Sequence, residues 1–133
     1  MSTEDERFFN HSGIDFIALI RAVKGVVTNN SLGGGSTITQ QLAKMFFSKR
    51  PKSKIDRVKQ KFKEWVIALK IERQYSKSEI IAMYLNRFDF LNLAVGIKSA
   101  SRIYFNTEPI ALSVLEAATL IGMAKNPSLY NPL

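Results

Sequence analysis

Apolar residues in this chain return at three- and four-residue steps almost from end to end, and nowhere do they alternate with period two for long enough to build a strand. That rhythm confines the fold to packed helices, because a helix buries a stripe spaced at about 3.6 residues while a half-buried strand buries every second one. Polar residues mark the starts. Asp15 can cap a helix carrying Ile17, Ile20 and Val23 on one side; after Gly33-Gly34-Gly35, Ser36 or Thr37 can cap a second through Ile38, Leu42 and Met45, which Pro51 ends. A third helix is expected from about Ile55 to Arg73, with Ile55, Val58, Phe62, Trp65 and Leu69 as its core-facing side. Ser76-Lys77-Ser78-Glu79 is a capping box for a fourth through Tyr84 and Leu85. A fifth is expected over Ala94 to Tyr104, and Ser113-Val114-Leu115-Glu116 opens a sixth that ends before Pro127. The expectation is an all-α fold, with residues 1–133 forming one domain.

Composition narrows the classes. With 46% hydrophobic residues and nine Phe among 133 residues, the chain is too apolar for a disordered tail, yet charge breaks each apolar run before the about 20 residues of a spanning helix. The absence of Cys excludes disulfides, thiolate catalysis and Cys-ligated zinc, and a lone His excludes a multi-histidine metal site. Ser2-Thr3-Glu4-Asp5-Glu6-Arg7 has neither the basic nor the apolar region of an export signal. Charge is concentrated. From Lys44 to Lys77 twelve basic residues face three acidic ones, a local balance of +9, whereas the rest of the chain sums to −1. One segment therefore carries the whole net charge of +8, which points to a localised anionic partner: phosphate, nucleic acid or an acidic lipid surface.

Four groups of residues could carry chemistry, and each has a plainer reading. On a helical wheel Arg57, Lys61, Glu64 and Ala68 form a stripe beside the apolar one, so Glu64 falls at the border of the buried face next to Lys61. It is either a cleft-lining carboxylate or half of an ordinary helical ion pair. Glu4 and Asp5, near Phe8 and His11, are either paired acids at a site or a solvated turn, with His11 hydrogen-bonded and orienting its neighbours. The stretch Gly33 to Lys44 sets glycines and hydroxyls ahead of a helix N-terminus, which suits a phosphate cradle or simply a capped helix. It is no P-loop, since the Lys follows Ser-Thr and no strand leads in. Finally, Met45-Phe46-Phe47 ahead of Ser48-Lys49-Arg50-Pro51-Lys52-Ser53-Lys54 is either an interfacial lipid anchor or core aromatics beside solvated lysines.

Taken together these residues resemble the peptidoglycan glycosyltransferase domain, glycosyltransferase family 51, of class A penicillin-binding proteins and monofunctional transglycosylases. Five motifs appear in order. Glu-Asp-x-x-Phe-x-x-His-x-Gly is Glu4, Asp5, Phe8, His11 and Gly13; Gly-Gly-Ser-Thr-Ile-Thr-Gln-Gln-Leu-x-Lys is Gly34 through Leu42 and Lys44 without a mismatch. Arg-Lys-x-x-Glu reads Gln60-Lys61-Phe62-Lys63-Glu64, the fourth motif is Glu79-Ile80-Ile81 with Tyr84-Leu85-Asn86, and the fifth is Gly96-Ile97 with Ala100 and Tyr104-Phe105. Three departures stand out: Gln60 for the usual Arg, Ala82 at a commonly acidic position, and Leu91-Asn92 where a Gly usually follows.

The resemblance implies a lysozyme-like helical catalytic lobe with a smaller membrane-associated region, truncated here at both ends. It implies an enzyme of cell-wall biogenesis and cell shape that polymerises lipid II, a disaccharide-peptide on polyprenyl pyrophosphate, into beta-1,4-linked glycan with inversion. By that resemblance Glu4 is the general base and Glu64 assists at the donor side, near the pyrophosphate or a divalent cation, Mg or Mn. Ser36, Gln41, Lys44 and Lys61 would line the donor site. Asp5, Phe8, His11, Gly35, Thr37 and Gln40 would complete the substrate-binding set, together with Tyr84 and Asn86. Partners would be lipid II, the growing strand, the membrane surface and a transpeptidase domain in the longer protein, with no nucleic acid. The location implied is the outer, periplasmic-side face of the bacterial cytoplasmic membrane, held by an anchor outside this chain. Two other classes compete. A lysozyme-like hydrolase or lytic transglycosylase also uses two carboxylates, but a neutral glycan leaving group needs no cationic cradle; a basic nucleic-acid module lacks a helix-turn-helix or an aromatic stacking platform here.

Overall fold

Short polar side chains that accept from the first free N–H groups of a helix decide where most of the described helices begin. The computed structural model describes residues 5–28, 35–47, 51 and 53–132. Among them are α1 (Phe16–Val27), α2 (Ile38–Phe47), α3 (Lys54–Gln74), α4 (Lys77–Arg87), α5 (Ile97–Phe105) and α6 (Val114–Lys125), with 3-10 turns at Phe8–Asn10 and Pro109–Ala111. The fold is all-α: the described residues contain no strand, only one isolated bridge between Asp89 and Val95. Asp15 Oδ1 accepts from the N–H groups of Ile17 and Ala18, and Thr37 Oγ1 from that of Gln40. Both expected capping boxes close. Hydrogen bonds from the Ser76 backbone and then its hydroxyl hold the Glu79 carboxyl below its ordinary value, and Ser113 does the same for Glu116.

Two apolar clusters hold these helices together. Phe8, Ile38, Leu42, Ile80 and Tyr84 form the first, between the N-terminal turn, α2 and α4. Phe90, Ala94, Ala100, Leu120 and Met123 form the second, around α5 and α6. Leu85 and Phe88, packed against both, join them into one body.

The structure corrects the sequence reading in three places. The apolar stripe of α3 faces outward: Ile55, Val58, Phe62 and Leu69 are exposed, Phe62 by 60%, and Trp65 is only half-buried. The buried positions of α3 are Glu64 and Ala68, so the inward side is the neighbouring stripe and Glu64 lies within it, not at its border. Small residues explain the choice. Gly13, at φ 96°, comes so near the Ala68 side of α3 that a Cβ would sit 3.1 Å from the Ala68 carbonyl oxygen. In α1, Ile17 and Ile20 likewise point outward while Ala18 is buried. Lastly, α5 starts at Ile97, not Ala94, because Gly96 holds φ 83° against Asn86, whose carbonyl oxygen would lie 2.6 Å from any Cβ there.

Candidate functional site

The N-terminal segment is held by charge. Arg7 pairs with Asp15 at 2.8 Å. Burial pushes the Asp15 carboxyl upward, but the Ala18 N–H, the Arg7 guanidinium and the Ile17 N–H outweigh it and hold the group below its ordinary value. The Gly13 N–H donates to His11 Nδ1 at 3.1 Å, which leaves the ring proton on Nε2. From there it is donated to the Asp5 carboxylate, whose oxygens lie 2.9 and 3.0 Å away. Asp5 Oδ2 also accepts from the Ile38 N–H at 3.1 Å, the first residue of α2.

That last bond revises the expected cradle. An anion does sit at the α2 N-terminus, where the helix dipole favours one, but it is the protein's own Asp5. The N–H groups of Ile38 and Gln40 are engaged by Asp5 and Thr37. Gly33 and Gly34 lie outside the described residues. Beside this N-terminus, polar and cationic side chains of α2 and α3 face one another.

There, between α2 and α3, a cleft of about 790 Å³ opens. Ser36, Gln40, Gln41 and Lys44 form one wall and Arg57, Gln60, Lys61 and Glu64 the other. Lys61 Nζ donates to Ser36 Oγ at 2.8 Å and to Glu64 Oε2 at 3.2 Å, so one ammonium ties both walls together. Gln60 Nε2 donates to Glu64 Oε1 at 3.1 Å, which gives each carboxylate oxygen a donor. Glu64 is 4% exposed. A carboxylate this deep needs such partners, because an uncompensated buried charge is strongly destabilising. Three cations against one carboxylate leave the cleft net positive. From behind, the Tyr84 O–H donates to Gln41 Oε1 at 3.2 Å and orients that amide in the wall.

Of the expected substrate-binding residues, Ser36, Gln40, Gln41, Lys44 and Lys61 meet in this cleft with Glu64. The others do not line it. Phe8 is wholly buried in the first apolar cluster, so its side chain is a packing element instead of a contact surface. Asn86 is exposed on α4 and outside the cleft wall, because the wall is built from α2 and α3. Asp5, His11, Thr37 and Tyr84 stand behind it as supports, and Gly35 is half-buried ahead of α2. Glu4 lies outside the described residues. Arg57 was not expected in the wall, although it belongs to the stripe that also holds Lys61, Glu64 and Ala68; Gln60, which stands where the third motif usually has an Arg, lies in the wall beside Lys61.

The fold is an all-α lobe in which Lys44, Arg57 and Lys61 surround one clamped carboxylate, an arrangement whose charge suits an anionic ligand. The chain belongs to the transglycosylase family, whose sequence model matches residues 1–133. It is 42% identical over 134 residues to penicillin-binding protein 1F of Bacillus subtilis, covering all of this chain and 18% of that protein. Penicillin-binding protein 2a of Streptococcus pneumoniae is 42% identical over 133 residues, and penicillin-binding protein 1A of Neisseria lactamica 41% over 134. The chain spans 17% and 16% of those two.

Proposed function

We propose that the chain is a peptidoglycan glycosyltransferase that extends glycan strands from lipid II. The 4-hydroxyl oxygen of the acceptor sugar bonds to the anomeric carbon of the donor chain while the bond from that carbon to the diphosphate breaks. The proton passes to Glu4, polyprenyl diphosphate leaves with the bonding electrons, and the configuration inverts to beta. The observation that carries this reading is the cleft: Lys44, Arg57 and Lys61 surround Glu64 in a space of about 790 Å³. Prearranged cations stabilise the charge that develops on a departing diphosphate, whereas a hydrolase releasing a neutral sugar has no use for them. Glu4 is one peptide bond from Asp5, and Asp5 is fixed by His11 and the α2 N-terminus. The residue next in sequence to the proposed base is therefore anchored.

A divalent cation at the diphosphate, which the resemblance implies, would find a poor donor set. Such ions take oxygen ligands, and the described wall offers one carboxylate with both oxygens already accepting from Lys61 and Gln60. The lysines and the arginine meet the diphosphate charge instead.

Incubation with lipid II and, separately, with finished glycan tests the reading. Polymer from the first is expected. Cleavage of the second alone would make the protein a hydrolase or lytic enzyme, and retention of DNA or RNA at moderate salt without either activity would make it a nucleic-acid module.

The same reading puts the chain at the outer face of the cytoplasmic membrane. Among the described residues no helix is long and apolar enough to cross a membrane. Phe46 and Phe47 are exposed at the end of α2, and the Arg87 guanidinium lies 5.2 Å from the Phe46 ring. Aromatics beside cations suit an interface between acyl chains and head groups. Replacing both Phe with Ser is expected to weaken binding to anionic vesicles, and unchanged binding would remove them from that role.

A further inference from the structure

On the far side of the cleft wall, Lys77 closes a second polar junction that the reaction above does not use. Its ammonium donates to the His11 carbonyl oxygen at 2.6 Å and to Glu72 at 2.8 and 2.9 Å. It also lies 4.3 Å from the centre of the Phe8 ring. Glu72 is almost fully buried, and its Oε1 accepts in addition from the hydroxyl of the wholly buried Thr39 at 2.5 Å. One ion pair thus joins α2 through Thr39, α3 through Glu72, α4 through Lys77, and the N-terminal segment through His11 and Phe8.

We infer that Lys77 is a positioning residue for the proposed glycan transfer, setting the acidic N-terminal segment against the α2–α3 cleft. A buried ion pair is weak evidence for stability, since well-packed apolar residues of similar size often serve as well. What it does supply is direction. An ammonium has three donors, and here three acceptor oxygens from two segments surround it, so the His11 backbone can occupy one position relative to Glu72. The His11 ring then fixes Asp5, and Asp5 fixes the start of α2. Moving the His11 carbonyl would therefore shift the His11 ring and Asp5 together, while leaving the side chains of the cationic wall in place. The inference rests on the glycan-transfer reading only for what is being positioned.

The experiment joins steady-state polymerisation of lipid II to nitrogen-15 NMR of the imidazole, which is unambiguous because His11 is the only histidine in the chain. For Lys77→Met the expected result is a kcat lower by about 10- to 100-fold. KM should stay within about twofold. The His11 nitrogens should depart from the Nε2–H pattern, and Lys77→Arg should recover part of both signals. Wild-type kcat with an unchanged imidazole spectrum would overturn the proposal. So would a raised KM at constant kcat, which belongs to a substrate contact. Should Lys77→Met not fold, Glu72→Gln/Lys77→Met removes both charges and is read the same way; failure of both to fold would make the pair a stabilising contact alone and also overturn the proposal. If the wild-type protein makes no polymer, it is the glycan-transfer reading that falls, and the imidazole spectra still report whether Lys77 positions His11.

Discussion

The two ends of this molecule bury different things. Around α2, α3 and the N-terminal segment the buried residues include Asp5, Asp15, Thr37, Thr39, Gln40 and Glu64, whereas Ser101 is the lone buried polar residue of the α5–α6 end. There Phe90, Ala94, Ala100, Leu120 and Met123 pack without a buried charge. Both ends are the same kind of structure, helices over an apolar cluster, so folding does not itself call for the difference. Burying a charge is unfavourable unless partners are built for it, and building them constrains several segments at once. Under the proposed function the polar end accepts that constraint so that a charged ligand is met there with side chains already in position, and the apolar end supplies a rigid support.

Glu4→Gln should have the largest effect on that division of labour. Removal of a general base is expected to lower kcat for lipid II by about 10²- to 10⁴-fold. The circular dichroism spectrum should not change, and retained turnover would exclude Glu4 from the base role. Phe90→Ala is the reciprocal change at the other end. Phe90 is fully buried, and its truncation should cost about 3–5 kcal/mol of stability in denaturant titrations. The kcat/KM of the remaining folded protein should not move; a drop in that quantity would mean that the apolar end does more than support. Lys61→Ala ranks third. It removes the ammonium that ties Ser36 to Glu64, and a turnover loss of about 10² is expected, by analogy with a missing transition-state donor. Normal kinetics would show that the cleft is not where the diphosphate is received.

How far the sequence revealed this contrast depended on distance along the chain. The starts of α1, α2, α4 and α6 were legible because Asp15, Thr37, Ser76 and Ser113 act on N–H groups two or three residues away. The facing of α3 was not. Periodicity reveals that a helix has two unlike stripes, but the one turned inward shows only in the packing, where Gly13, far earlier in the chain, comes against the Ala68 carbonyl. The occupant of the α2 N-terminus was hidden for the same reason, since Asp5 reaches Ile38 across 33 residues. The cleft was half legible. Ser36, Gln40, Gln41, Lys44, Lys61 and Glu64 were picked out by motif, as was Gln60 in place of the usual Arg, while Arg57 entered only once α3 had been turned so that its side faced α2.

The smallest predicted effect belongs to the apolar end and has the opposite sign. Leu91, Asn92 and Leu93 hold φ values of 66°, 48° and 64°, a left-handed run in which two of three residues are leucines. For a side chain of that kind the conformation costs about 1–2 kcal/mol per residue. The turn is nonetheless cinched from every side: Ala94 N–H donates to the Leu91 carbonyl at 2.7 Å, Leu91 N–H to Asp89 Oδ1 at 2.9 Å, and Asn92 Nδ2 to the Tyr104 hydroxyl at 3.1 Å. Tyr104 in turn donates to the Phe90 carbonyl at 2.6 Å. Leu93 is 94% exposed and has almost no packing to lose. Leu93→Gly removes its steric penalty but loosens the unfolded chain by about 0.5–1 kcal/mol, so a net gain near 0.5–1 kcal/mol is expected. Leu93→Asn, which tolerates the same backbone, should gain a similar amount without that loosening. Thermal denaturation would read either gain as a rise of a few degrees. If the apolar end is only a support, polymerisation of lipid II will be unaffected by both substitutions. A loss of activity in a stabilised protein would instead mean that this strained turn is held for the reaction, and the contrast between the two ends would no longer stand.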